Sequence, residues 1–322
     1  MNHVPQRRDL PGHQTRRQHL MNEISTPPRS TSKLRLVLAG LGTAAAVGGV
    51  AAAALLAPGG TSTGTPGKAK LMAASEVLTK ASDAAAAEPD LKPKPDQYLY
   101  FSSQSRQNGG GIDVRKIWLS VDGKHATLLD SQMPGFPKGH GWICSNKKGE
   151  DMGGKAGDLK NPPTNCHDRP AYDPTIPTDP KAAKAWLYKN SMGGNPPDIQ
   201  AFITVGDTIR EHYIGSKSLA ALFKAAAQIP GVTVYRNVRD SAGRVGIAVG
   251  QTWRYDRHEL IFDPKTFRLI GEQEVCDTVT SFHPAGESKT DLPSKVWCKN
   301  GQVSYSSAEL GFGLVNRPGQ LP

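Results

Sequence analysis

The four cysteines are the residues whose number and spacing most directly predict a chemistry. Cys144 and Cys166 are 22 positions apart, and Cys276 and Cys298 are also 22 apart. Zinc ligands occur in short-spaced groups, and the one close pair here, Cys166 with His167, consists of adjacent residues that rarely share an ion. In an exported chain, an even number of cysteines favours disulfide bonds. Three pairings remain open, and we favour Cys144–Cys166 and Cys276–Cys298 because each closes a local, turn-rich segment.

The sequence contains no motif of a known catalytic centre. Gly-x-Ser-x-Gly, His-Glu-x-x-His and the Gly-x-x-x-x-Gly-Lys-Ser/Thr loop are absent. His258 is followed by Glu259, but Phe262 stands where a second zinc-binding histidine is required. Glu272 and Glu274 fall on one face of a predicted strand, which suits acid–base chemistry but is more often a solvated edge. We therefore expect a protein that is not an enzyme and has no cofactor or metal.

Five aromatic residues on predicted strands or at their ends offer another kind of site. They are Tyr98, Tyr100, Trp118, Trp253 and Tyr255. Aromatic side chains on strands usually belong to a core or its rim. They can also line a groove for a ligand, and these five residues are our candidate ligand face.

Residues 36–57 form an uncharged stretch that predicts a membrane anchor. A helix of about 20 residues crosses the hydrocarbon layer of a bilayer. Seven Lys or Arg and two acidic residues lie in 1–35, whereas no charge follows the stretch until Lys68. This asymmetry places the N-terminal tail in the cytoplasm and 58–322 outside the cell membrane. A cleaved signal peptide, with translation starting at Met21, is the alternative.

The net charge of +10 does not indicate a nucleic-acid partner. Half of this excess lies in residues 1–35, beside the predicted anchor, where basic residues also favour anionic lipid headgroups. The exported part has no basic stripe interleaved with aromatic residues. The expected partners are the membrane itself and an envelope lipid or protein.

The first half of the exported part begins with a flexible Gly/Thr/Pro-rich linker, residues 58–74. A helix follows, with Ser75 as its predicted N-cap, and then a strand. Asp122-Gly123 between two apolar runs predicts a hairpin. Residues 131–179 hold seven glycines and seven prolines and show neither strand nor helix periodicity, so we expect a long loop.

The second half predicts three helices and then a group of strands. Asp179 is the predicted N-cap of the first helix, and "PG" at 230–231 ends the third. Leu222 and Phe223 on the third helix should face the sheet. The sheet residues expected opposite them are Val245, Ile247 and Val249. Because the strand connections have two to five residues, the strands must be antiparallel. Residues 75–322 are therefore predicted to form an α+β domain, an antiparallel β-meander with inserted helices.

Three segments carry a family resemblance: "IPGV" at 229–232, "DSAGRVGIAV" at 240–249 and "ELIFDP" at 259–264. With the helix that begins near residue 75, they resemble a family of actinobacterial membrane-anchored proteins often encoded beside extracytoplasmic-function sigma factors. More distantly, the chain is similar to lipoprotein-carrier and RseB-like sensor domains. That resemblance implies a curved, unclosed sheet whose concave face holds an acyl chain or a lipid-linked peptide.

Neither resemblance supplies catalytic residues. Membrane-bound anti-sigma factors often carry a cytoplasmic His-xxx-Cys-xx-Cys zinc motif, but residues 1–35 have no cysteine. We therefore expect a membrane-tethered, extracytoplasmic domain that binds or senses a ligand and is linked to envelope-stress or sigma-factor signalling. A carrier of lipidated envelope components and an envelope hydrolase are the alternatives.

Overall fold

The computed structural model describes residues 72–132, 139–153, 158–210, 212–279 and 298–322. The predicted tail, the predicted anchor and nearly all of the predicted linker lie outside these residues. In the described part of the chain, no helix is long and apolar enough to cross a membrane.

The described residues contain four helices. These are α1 (Ala74–Ala86), α2 (Pro180–Asn190), α3 (Pro197–Ile209) and α4 (Ser216–Ala226). The predicted start of α2 is confirmed, because the Asp179 carboxylate accepts a hydrogen bond from the Ala182 backbone N–H at 2.8 Å. The predicted N-cap of α1 is wrong: this helix begins one residue before Ser75 and has no side-chain cap.

Nine strands form one antiparallel sheet. They are β1 (Tyr98–Gln107), β2 (Ile112–Ser120), β3 (Thr127–Ser131), β4 (Gly139–Ile143), β5 (Thr233–Arg239), β6 (Val245–Trp253), β7 (Asp256–Phe262), β8 (Leu269–Cys276) and β9 (Val303–Val315). Their order is β4-β3-β2-β1-β9-β8-β7-β6-β5. The strands β4 and β5 end the sheet, so the predicted unclosed antiparallel sheet with inserted helices is confirmed.

The predicted loop and hairpin turn both need correction. The segment predicted as a loop, 131–179, contributes the edge strand β4, which pairs with β3. The hairpin at Asp122-Gly123 exists, but residues 121–126 connect its strands instead of a two-residue turn. The central strand β9 was not predicted at all, and it joins the two groups of strands.

The turn between β5 and β6 shows that the sheet is curved. Three strands separate β1 from β6 in the sheet order, which in a flat sheet means about 19 Å. Yet Gln104 Nε2 on β1 donates to Ser241 O at 2.7 Å, and Ser241 Oγ donates to Gln104 O at 2.8 Å. Arg244, in the same turn, donates to Glu309 O on β9 at 2.9 Å. The curvature folds this turn across β9 and β1.

The helices bury the main apolar core against one face of β6 and β7. Leu222 and Phe223 of α4 pack in one cluster with Ile247 and Val249 of β6, as predicted. The ring of Phe223 meets Phe262 of β7 edge-on, with centroids 5.5 Å apart. Val245 does not join this cluster, because it lies at the start of β6 with 40% of its surface exposed. We call this side of the sheet the helix face.

The opposite face of the same strands holds buried charges. Arg257 and Glu259 project from β7, and their side chains are joined at 2.5 Å. Arg257 also binds Asp277 at 2.7 Å and stacks over Tyr235, 4.0 Å from the ring centroid. Gln273 Nε2 donates to Glu259 at 2.6 Å. We call these five residues the charged network.

Both favoured cysteine pairings are confirmed. The sulfur atoms of Cys144 and Cys166 are bonded, and so are those of Cys276 and Cys298. Cys144 and Cys166 are fully buried beside Trp142 of β4. The Cys144–Cys166 bond therefore anchors the irregular chain after β4 to the end of the sheet.

Candidate ligand-binding surfaces

The five predicted aromatic residues do not form one surface. Tyr98, Tyr100 and Trp118 lie on β1 and β2, whereas Trp253 ends β6 and Tyr255 follows it. The unpredicted β9, with β8 and β7, stands between the two groups. The strand registers also place Trp253 on the helix face and the other group on the opposite face.

The first group is packed rather than open. The rings of Tyr100 and Trp118 lie with centroids 5.2 Å apart, and these residues are only 6% and 5% exposed. Tyr98 packs at the rim of the same cluster, and burial, helped by the nearby Asp122 carboxylate, raises its pKa. A ligand could therefore contact Tyr100 and Trp118 only if the residues packed over them moved.

The second group lies at the rim of the sheet. Trp253 is half-buried and lies 5.7 Å from the Arg254 guanidinium. The Tyr255 carbonyl accepts a hydrogen bond from the Asp277 N–H at 2.8 Å. Trp253 and Tyr255 therefore lie at the β6–β7 turn, at the end of β6 and within the connection that follows it.

An aromatic cluster that the sequence did not suggest lies on the helix face. The ring of Phe312 on β9 is 5.0 Å from that of Phe101 and stacks on Tyr213 at 5.9 Å. Tyr172 extends the cluster beyond Tyr213, at 5.4 Å. Phe312 is nevertheless 46% exposed, and Leu310 on the same strand is 45% exposed. We call Leu310 and Phe312 the β9 patch.

The β9 patch is open because β8 is shorter than β9. Pairing of β8 with β9 reaches only as far as Ser306, whereas β1 pairs with β9 up to Val315. In the described parts of the chain, no strand pairs with the other edge of 310–315. The alternation of Gly311 and Gly313 with larger residues was the signal that could have predicted a one-sided apolar strand.

Tyr213 fixes the chain beneath the patch. Its hydroxyl accepts a hydrogen bond from the Leu91 N–H at 2.7 Å and lies 3.3 Å from the Asp90 carboxylate. Burial raises the pKa of Tyr213 to about 12. The phenol therefore stays protonated well above physiological pH and keeps these hydrogen bonds.

Two acidic residues lie beyond the patch on the helix face. Glu272 forms an ion pair with Arg210, just after α3, and Glu274 lies 3.6 Å from His258. Burial raises the pKa of Glu274, and His258 partly opposes this shift. The two acids do not lie at a sheet edge as predicted, because β8 is an inner strand, although 46% of the Glu274 side chain is exposed to solvent. The ion pair of Glu272 makes it unlike a free acid–base catalyst.

One group of residues has the spacing of metal ligands among those described: Cys144, Cys166 and Asp168, whose ligand atoms lie within 4.8 Å of one another. The two sulfur atoms are joined to each other, and a metal binds a thiolate rather than a disulfide. The group therefore does not fit a metal while this bond is intact.

Two of the surface cavities among the described residues have partly charged linings. One, of about 270 Å³, is lined by Arg106, Gly109, Arg239, Gln273, Val303 and Ser306. The other, of about 300 Å³, lies beside the first disulfide and includes Lys147, Lys148 and His167. Both linings contain charged residues, so neither resembles an enclosed apolar site for an acyl chain.

No protein-family model matches the chain, and no curated protein matches it. Among solved structures, it is similar to MucB, with 11% identity, a TM-score of 0.27, and coverage of 77% of this chain and 60% of that chain. A putative outer membrane lipoprotein-sorting protein domain from Vibrio parahaemolyticus gives 8% identity and a TM-score of 0.22, covering 77% of this chain and 95% of that chain.

A third similar structure is the MucA/MucB complex of Pseudomonas aeruginosa, with 11% identity, a TM-score of 0.27, and coverage of 77% and 58% of the two chains. The chain thus spans about 60% of the MucB chain that it matches. RseB-like and lipoprotein-carrier domains are the groups that the sequence resemblance named. At these TM-scores, the likeness carries no argument about a ligand, and the actinobacterial origin stays a prediction.

Proposed function

We propose that this chain is a non-catalytic extracytoplasmic binding domain, tethered to the cell membrane by residues 36–57, that recognises an envelope protein through the β9 patch. One observation carries the proposal: Leu310 and Phe312 expose nearly half of their surfaces on the part of β9 that lies beyond its pairing with β8. Apolar side chains exposed together on a soluble domain often mark an interaction site.

The geometry favours an extended peptide segment as the ligand. Residues 311–315 pair with β1 on one side only, and Leu310 lies at the register shift just before them. The unpaired backbone edge of a strand can add another strand. The exposed side chains of Leu310 and Phe312 then offer apolar contacts to that segment. A link between ligand binding and envelope-stress or sigma-factor signalling is part of the same proposal.

Site-specific photo-crosslinking tests the patch. A benzophenone amino acid replaces Phe312 in one protein and Met192 in a control, because Met192 is also 45% exposed but lies between α2 and α3. We expect protein adducts from position 312 that are absent from position 192 and weakened by Leu310→Ser. Lipid adducts alone would favour the carrier of lipidated components. Equal adducts at both positions would contradict the proposal.

The anchor has its own test. The mature protein should fractionate with membranes, and protease added to intact cells should remove sequence beyond residue 58. A soluble mature protein that starts near residue 58 would show a cleaved signal peptide instead.

The absence of catalysis is tested by assays of the purified chain on esters, peptides and peptidoglycan. We expect no turnover. Activity that disappears in Glu274→Gln but persists in Glu150→Gln, an exposed control, would show that the envelope-hydrolase alternative is correct.

A further inference from the structure

The chain after β9 folds back onto the sheet. Residues 316–322 begin in a turn, in which Gln320 N donates to Arg317 O at 3.3 Å. Gly319, within this turn, has φ of +85°, a backbone conformation that residues other than glycine rarely adopt. The turn reverses the chain and sends it across the face opposite to the helices. We call residues 316–322 the strap.

The strap crosses several strands instead of pairing with one. Gln320 O accepts a hydrogen bond from the Trp118 indole N–H on β2 at 2.6 Å. Pro322 lies directly on Gly313 of β9, where an added Cβ would stand 2.4 Å from the proline Cγ. Since β1 lies between β2 and β9, the strap runs across the direction of the strands.

The surface under the strap is an apolar groove. Its floor is made of Tyr100, Trp118, Leu128 and Val315, each less than a tenth exposed, and we call these four residues the aromatic groove. The strap itself gains little burial, since its Leu321 is 60% exposed. The floor is therefore buried, whereas most residues of the strap are exposed.

Trp142 supplies a donor that the strap does not use. It stands opposite Leu128 in the register of β3 with β4 and packs at the margin of the aromatic groove. Its indole N–H is buried, and no acceptor for it is found in the described residues. A buried donor without an acceptor is rare and costly in free energy. Trp142 lies between the groove and the first disulfide, and a carbonyl of a ligand in the groove would supply the missing acceptor.

We propose that the aromatic groove binds an extended, proline-containing peptide segment of another protein, and that the strap is its resident cover. Proline-rich segments enter grooves lined by aromatic residues with little loss of entropy, because they are already extended. An indole N–H can only donate and so needs an acceptor, which the backbone carbonyls of an extended peptide supply. The groove lies on the face opposite to the β9 patch, so either proposal can fail without the other.

An external peptide can fit better than the strap does. The strap must turn at Arg317–Gln320 to stay connected to β9. A separate peptide has no such connection, so the residues before its Gly319 equivalent can continue straight over β4. That path brings a carbonyl towards Trp142 while a second carbonyl keeps the bond to Trp118.

The test uses the full chain, purified in a non-ionic detergent, with and without residues 317–322. The probe is a fluorescent peptide with the sequence of residues 317–322, and binding is followed by fluorescence anisotropy. We expect the peptide to bind the shortened chain and to bind the parent at least about tenfold more weakly, because the strap competes at a high effective concentration. No binding to the shortened chain would overturn the proposal.

Two conservative variants of the shortened chain separate specific recognition from general stickiness. Trp118→Phe keeps an apolar ring but loses the donor, and affinity should fall about 3- to 10-fold. Trp142→Phe should weaken the six-residue peptide by a similar factor but leave a four-residue peptide, residues 319–322, unchanged. If both peptides bound equally well to the unsubstituted shortened chain, to its Trp118→Phe variant and to its Trp142→Phe variant, the assignment would be contradicted.

Two controls keep the result clear. If the shortened chain does not fold, Pro322→Asp in the full chain loosens the strap without altering the groove, and peptide affinity should rise above that of the parent. Size-exclusion chromatography then identifies the occupant. A dimer formed by exchanged straps would overturn the external partner and show that the groove takes a second copy of this chain.

Discussion

The two faces of β6 and β7 are built from alternate residues of the same strands, yet they are stabilised in different ways. On the helix face, Val249 and Phe262 pack against α4 in an apolar cluster. On the opposite face, Arg257 and Glu259 are buried as an ion pair. Apolar burial tolerates small shifts but not lost volume. A buried ion pair tolerates neither a missing partner nor a poor angle. Substitutions should therefore cost stability for different reasons on the two faces.

The largest expected effect is that of Phe223→Ala on the helix face. Phe223 is 2% exposed, so the free energy of unfolding should fall by about 3–5 kcal/mol as transfer and cavity terms combine. Denaturant unfolding measures it. A loss below about 1 kcal/mol would mean that α4 covers an open groove instead of a packed core.

Arg257→Met tests the opposite face. It leaves Glu259 and Asp277 buried without their cation, and we expect a loss of roughly 3 kcal/mol. The matched control, Arg236→Met, changes an exposed arginine on β5 and should cost less than about 0.5 kcal/mol. If the double variant Arg257→Met/Glu259→Met were less stable than Arg257→Met, the charge-based explanation of this face would be wrong.

Phe312→Ala makes the same Phe-to-Ala change as Phe223→Ala, but at a site that the helices do not cover. Because Phe312 is 46% exposed, we expect a loss of about 1 kcal/mol or less, read from the same denaturant curves. A loss as large as that of Phe223→Ala would make the β9 patch part of the core and would weaken its assignment as a binding surface.

The smallest effect concerns Asp263, in the turn from β7 to β8. Backbone N–H groups of Thr266 and Lys265 donate to its carboxylate and lower its pKa. A lowered folded-state pKa stabilises the protein above the unfolded value of about 4, and this contribution is lost as pH falls through the folded value. Asp263→Asn should therefore lower Tm by about 1–2 °C at pH 7 and by almost nothing at pH 2. A difference that does not change with pH would exclude this carboxylate as the cause.

Local signals predicted the second half of the domain well. The short connections after β5, β6 and β7 required antiparallel neighbours, and the structure has them. The Asp179 cap with Pro180 gave the start of α2. The apolar spacing of α4 predicted which of its residues meet β6. Each of these features is determined by residues close together in the sequence.

The features that the sequence did not predict depend on distant residues. In β9, Phe312 pairs with Phe101, which is more than 200 positions away in the sequence. No local sequence pattern predicts such a pairing. For the same reason, the five aromatic residues were grouped although β9 divides them. The strap was also beyond prediction, because its contacts with Trp118 and Gly313 depend on a tertiary fold and not on periodicity.

The position of β9 has a consequence for the order of folding. Ribosomes make this strand after the other eight strands of the sheet, yet it lies in the middle, between β1 and β8. Until it arrives, both of those strands have unpaired edges, which are sites of misassociation. Pairings between residues so distant in the chain also form slowly. The nascent domain must therefore remain as two incomplete half-sheets, open to proteases and to association with other chains, until β9 has been synthesised.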